Sequence, residues 1–94
     1  RRHGAPLLYV NQAGGQDSLV FDGHSMAVSA TGALVAQAPG FDEAMIEVDL
    51  RALEGGTAVS PCWAGRPPAE EVFHALVRGT NDYIRKCGLS KAVL

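Results

Sequence analysis

The chain has 94 residues, 47% of them hydrophobic and 19% charged, a balance that suits one ordinary globular domain. Eight Lys and Arg against ten Asp and Glu leave a formal net charge of -2, which offers no basic footprint for nucleic acid. The apolar runs are too short to span a bilayer, so neither a membrane nor nucleic acid is expected as a partner.

Arg1-Arg2-His3-Gly4-Ala5-Pro6 reads as the end of a helix: cations suit its negative C-terminal pole, glycine its left-handed exit, and proline its stop. The chain is therefore expected to begin inside an element. Residues 7–10 form a continuous apolar run, which predicts a strand covered on both faces. The stretch 9–25, YVNQAGGQDSLVFDGHS, then predicts a strand ending at Asn11 and Gln12, a polar loop bent by Gly14-Gly15, and a second strand over 19–21. Asp22-Gly23 is a turn signal.

From Ser25 to Ser29 the chain alternates, with Met26 and Val28 on one face. Ala30-Thr31-Gly32 bends it into a strand over 33–38, closed by Pro39-Gly40. In 43–50, Ile46, Val48 and Leu50 alternate with Glu47 and Asp49, so a strand is preferred to a helix. The result is an α+β or α/β piece with a β-meander of four or five strands, whose apolar face needs a covering layer.

Between 51 and 68 the periodicity dissolves at Gly55-Gly56, Pro61, Gly65 and Pro67-Pro68, which predicts a linker between domains. An amphipathic helix follows, with Glu70 and Glu71 in its first turn, Arg85 and Lys86 in its last, and Gly88 at its exit. Val72, Phe73, Leu76, Val77, Tyr83, Ile84 and Cys87 recur at three- and four-residue steps and predict one broad buried face. Ala92-Val93-Leu94 opens as a strand. With both ends cut inside elements, the chain is expected to be a piece of a longer protein.

Few residues here suggest chemistry. Cys62 and Cys87 lack CxxC or Cys/His ligand spacing, so neither a metal site nor a disulfide framework is expected, and a cytoplasmic setting is the plainer reading. Cys62 beside Trp63, with His24 and His74 elsewhere, invites a Cys-His nucleophile, but nothing supplies a lowered thiol pKa. Asn11, Gln12, Gly14, Gly15 and Asp17 have two readings. They could shape the rim of a substrate pocket, or they could hold a turn through side-chain bonds and glycine's conformational freedom; the second is preferred. Arg78, Arg85 and Lys86 could meet a phosphate or a neighbouring domain, with a solvated face as the default.

The order NQAGGQD, LVFDG, TG, LVAQAP and MIEVDL resembles the last third of a nitrilase-type glutamine amidohydrolase domain, an αββα sandwich. PPAEEVFHALVRGTNDYIRKCGLSKAVL is similar to the first helix of the synthetase domain in the glutamine-dependent NAD+ synthetase family. The resemblance implies three parts: the end of the amidohydrolase domain at 1–50, an interdomain linker at 51–68, and the start of the synthetase domain at 69–94.

It further implies a parent enzyme that hydrolyses glutamine with a Glu, Lys and Cys triad. The ammonia would amidate nicotinic acid adenine dinucleotide with ATP and Mg2+, in a cytoplasmic homo-oligomer. The triad and the pyrophosphate loop would both lie outside these residues, leaving no catalytic, cofactor or metal residue among them and an inactive piece whose partner is the rest of its own chain. Two alternatives stand beside this: a carbon-nitrogen hydrolase without a synthetase domain, and a non-enzymatic β-meander serving as a binding module.

Overall fold

The computed structural model describes residues 3–55 and 65–93. The expected helix end at Arg1-Arg2, the linker positions 56–64 with Cys62 and Trp63, and Leu94 lie outside the described residues.

Among the described residues, five strands form in chain order: β1 (Leu7–Tyr9), β2 (Ala13–Gln16), β3 (Leu19–Asp22), β4 (Met26–Val28) and β5 (Leu34–Gln37). Two helices follow, α1 (Leu50–Gly55) and α2 (Pro68–Lys86). All strand pairs are antiparallel and they divide into two sheets, one ordered β1-β4-β5 and one made of the β2-β3 hairpin.

β4 takes the centre of the larger sheet, with Ala27 facing Leu8 on one side and Ala36 on the other. Ser29 closes the turn into β5. Its N–H donates to the Ala33 carbonyl (2.8 Å), and its hydroxyl accepts the Ala33 N–H (3.0 Å) while sharing a hydrogen bond with Thr31.

The core gathers Ala27, Val35, Ala36, Ala52 and Leu53, with Ile46 and Val48 packed against it. A helix thus covers β4 and β5, tied to the turn by the Ala30 N–H donating to the Leu53 carbonyl (2.9 Å). This corrects two expectations. Residues 43–50 alternate as predicted, with Ile46 and Val48 turned inward, but they form an extended strap without strand pairing among the described residues, and Leu50 is exposed and starts α1. The linker expected from 51 is helical through Gly55, because Ala52 and Leu53 have a core to enter.

β1 also departs from expectation. Leu7, Leu8 and Tyr9 are all exposed, and β1 is an edge strand whose apolar side chains lack a cover among the described residues.

The hairpin turns at Asp17-Ser18, with Asp17 at φ 52, a left-handed value that Asp tolerates in a two-residue turn. Gly14-Gly15 therefore lies in a strand, not in the expected loop, and pairs with Phe21 and Val20. Main-chain bonds join hairpin and sheet where Gly23 bridges Gly40 and the Phe41 N–H donates to the Asp22 carbonyl (2.8 Å).

α2 matches its sequence signals closely. Pro67 is the N-cap, Pro68 occupies the first turn, and Glu70 and Glu71 face the positive pole. At the other end, the Leu89 N–H donates to Ile84 and the Gly88 N–H to Arg85, with Gly88 at φ 66: a Schellman exit that only glycine enters without cost.

Candidate functional site

The face that α2 turns toward the hairpin is not the one its apolar periodicity predicts. Val72, Phe73, Leu76, Val77 and Tyr83 are exposed, Phe73 by 61%. The docked face carries Ala75, Arg78, Gly79, Asp82 and Lys86, which share the same three- and four-residue spacing with small and charged side chains. A periodic stripe identifies a face, and a different face of the same helix meets the hairpin.

The reason lies in close approach. A Cβ on Gly15 would stand 3.0 Å from the Gly79 Cα, and one on Gly79 would stand 2.9 Å from Val20 Cγ2. Gly14, at φ 132, faces Asp82, whose Oδ2 lies 2.8 Å from where a Cβ would be. Helix and strand meet backbone to backbone, where any side chain would hold them apart.

Into that contact Asp82 is buried, at 9% exposure. Its Oδ2 accepts the Gly15 N–H (2.9 Å) and the Arg78 Nε–H (3.0 Å). Lys86 Nζ donates to the Gly15 carbonyl (2.5 Å), so both main-chain groups of Gly15 are taken by one helix. An open strand edge is capped this way. Arg78 also reaches Glu43 Oε1 (3.6 Å), a weak pair because Glu43 is exposed.

The Gly15 N–H bond holds the Asp82 carboxyl below the usual aspartate range; burial opposes this, and Arg78 and Lys86 add to it. A carboxylate stabilised on folding contributes fully above its unfolded pKa, near 4, and loses that contribution as pH falls through the depressed value. The α2 amides are accordingly expected to lose exchange protection relative to β4 once the pH drops below about 4. Asp82→Asn is expected to flatten that dependence; equal pH profiles for α2 and β4 would contradict it.

An open cleft of about 420 Å³ runs beside this contact, lined by Gln12, Gly14, Gly15, Arg78, Asp82 and Lys86 among others. It brings together three of the five sequence candidates. Asn11 lies to one side, its Nδ2 donating to Asp22 Oδ1 (2.8 Å) and its N–H to Ser25 Oγ (3.0 Å). Asp17 sits at the hairpin tip. Gly79 and Asp82 were not anticipated from the sequence. The signal available was a glycine inside a helix, which costs about 1 kcal/mol against alanine and so asks for a packing reason.

The carbon-nitrogen hydrolase family profile matches residues 2–57, more than half of the chain. The chain belongs to the carbon-nitrogen hydrolase family. Its five antiparallel strands are a piece of the nitrilase-like sandwich. Among curated relatives, the glutamine-dependent NAD(+) synthetase of Synechocystis is 43% identical over all of this chain, and that of Rhodobacter capsulatus is 41% identical over 97% of it. The chain spans 17% of the length of either relative.

A solved structure of glutamine-dependent NAD+ synthetase from Acinetobacter baumannii, in complex with ADP, superimposes with a TM-score of 0.73 at 34% identity. That match covers 88% of this chain and 16% of the solved one. Similarity thus continues through α2, past residue 57 where the hydrolase family profile ends. Among the described residues, no helix is long and apolar enough to cross a membrane.

Proposed function

We propose that this carbon-nitrogen hydrolase chain is the junction of a glutamine-dependent NAD+ synthetase. Residues 1–55, with α1 packed on the hydrolase core, would close the ammonia-releasing part, 56–68 connect, and 69–94 open the ammonia-consuming part. One observation carries the reading: relatives bearing that name match both the hydrolase strands and α2. A hydrolase ending with its own domain would give α2 no reason to follow the synthetases.

In the whole protein, water would cleave the amide of glutamine through a Cys thioester, yielding glutamate and ammonia. The carboxylate of nicotinic acid adenine dinucleotide would attack the α-phosphate of ATP, releasing pyrophosphate, and ammonia would then displace AMP to form the amide of NAD+. We assign both reaction centres to residues outside this segment. Among the described residues, the start of α2 does not suit ATP with Mg2+: it opens on Pro67-Pro68 with Glu70 and Glu71 in the first turn, which removes N–H donors and sets the wrong charge for a phosphate.

Within this reading Asn11, Gln12, Gly14, Gly15 and Asp17 have two roles open to them, the rim of the glutamine pocket or the hold on the hairpin, and the Asn11 bond to Asp22 and the left-handed Asp17 favour the second. The uncovered faces of β1 and α2 are where the rest of the same chain would pack. A cytoplasmic homo-oligomer completes the proposal.

The full-length protein is expected to form NAD+ from nicotinic acid adenine dinucleotide and ATP with either glutamine or ammonium as nitrogen source, measured as product by chromatography. Glutamine hydrolysis with no ATP-dependent product would reassign it to a carbon-nitrogen hydrolase alone.

A further inference from the structure

The hairpin and α2 are joined by groups that neither proposed reaction consumes. Gly15 offers its N–H to Asp82 and its carbonyl to Lys86, both from the strand edge that faces α2. Arg78 braces the same carboxylate, and its weak pair with exposed Glu43 adds little, so the grip centres on Gly15. The grip depends on absent side chains at Gly14, Gly15 and Gly79, each of which faces an atom at 3.0 Å or less from an added Cβ.

Apolar contacts alone would let the helix slide or roll at small cost, since they are not directional. Charge-assisted hydrogen bonds seated in a backbone notch fix register and angle. The apolar face of α2 is turned away from the hairpin, so orientation here rests on the polar set.

We propose that Asp82 is a positioning residue. Through the Gly15 N–H it holds the hairpin of the ammonia-releasing part in one orientation against the first helix of the ammonia-consuming part, so that ammonia passes on without reaching water. The proposal rests on the reading above and extends it, because neither reaction's chemistry requires this carboxylate. Ammonia that escapes takes a proton and loses its nucleophilic lone pair, so misalignment costs product while leaving glutamine hydrolysis intact. Coupling of this kind is a free energy carried by an element that both parts contact.

The experiment uses the full-length protein and measures glutamate formed per NAD+ formed, together with NAD+ formation from external ammonium. Asp82→Ala is expected to raise the glutamate-to-NAD+ ratio about fivefold while ammonium-driven synthesis stays within about twofold of the parent. Lys86→Met, which removes only the carbonyl tether, is expected to shift the ratio in the same direction by less, and it decides the matter if Asp82→Ala does not fold. Asp82→Asn keeps an acceptor for the Gly15 N–H and is expected to restore part of the coupling.

An unchanged ratio in a folded variant overturns the positioning role while leaving the functional reading intact. So does an equal fall in both nitrogen routes, which marks a merely structural carboxylate. A parent protein that makes no NAD+ from ammonium overturns the functional reading, and this proposal with it.

Discussion

Gly14→Ala is expected to weaken the docking of α2 on the β2-β3 hairpin by about 3 kcal/mol, the sum of two costs that fall on the same atom. At φ 132 the backbone of Gly14 occupies a region that residues with a Cβ rarely enter, a strain of about 1–3 kcal/mol. The new methyl would also stand 2.8 Å from Asp82 Oδ2, displacing the carboxylate that caps Gly15 and braces Arg78. Relief by rotating Asp82 away loses the Gly15 bond, so neither accommodation is cheap.

Gly55→Ala is the matched control: its Cβ would meet open space at the end of α1, and a change within about 0.5 kcal/mol is expected. Hydrogen exchange of the α2 amides in the full-length protein compares the two. Equal protection in both variants would mean that helix and strand do not approach as closely as described.

Phe73→Ala is expected to destabilise the full-length protein by about 3–5 kcal/mol, although Phe73 is 61% exposed in this segment. An exposed aromatic on a helix surface ordinarily changes stability by no more than about 0.5 kcal/mol when truncated. The difference measures what covers it. Val72, Phe73, Leu76, Val77 and Tyr83 make a continuous apolar face on α2, and the relatives that match through this helix are far longer than the segment. Under the proposed function, that face is core in the whole protein. Urea unfolding followed by exchange at the α2 amides gives the value; a loss below about 1 kcal/mol would leave the face in solvent and remove one support from the proposed junction.

These two substitutions act on opposite sides of one helix, and the sequence announces only one of the sides. The Phe73 side is written as periodic hydrophobicity, which survives any change of partner. The Gly14 side is written as two adjacent glycines and a third inside a helix, far apart in the chain, and nothing local says that they meet.

What the residues determine by themselves is local. Pro67-Pro68, the acidic first turn, the basic last turn and Gly88 delimit α2 because each acts on the helix's own unpaired backbone groups. Likewise, alternation in 46–48 turns Ile46 and Val48 inward whether or not a strand partner exists. The resemblance between the NQAGGQD stretch and the hydrolase family was also legible, since it is carried by residue identity.

Tertiary structure alone decided where Gly14-Gly15 belongs, which face of α2 docks, and that Leu50 begins a helix. Each depends on contacts between distant parts of the chain: the Gly15 bond to Asp82 joins residues separated by 67 positions. A pattern read over one or two turns contains the period of an element and the caps that end it. It does not contain the surface that the element will meet, and that surface settles whether an apolar stripe or a glycine notch is the side that packs.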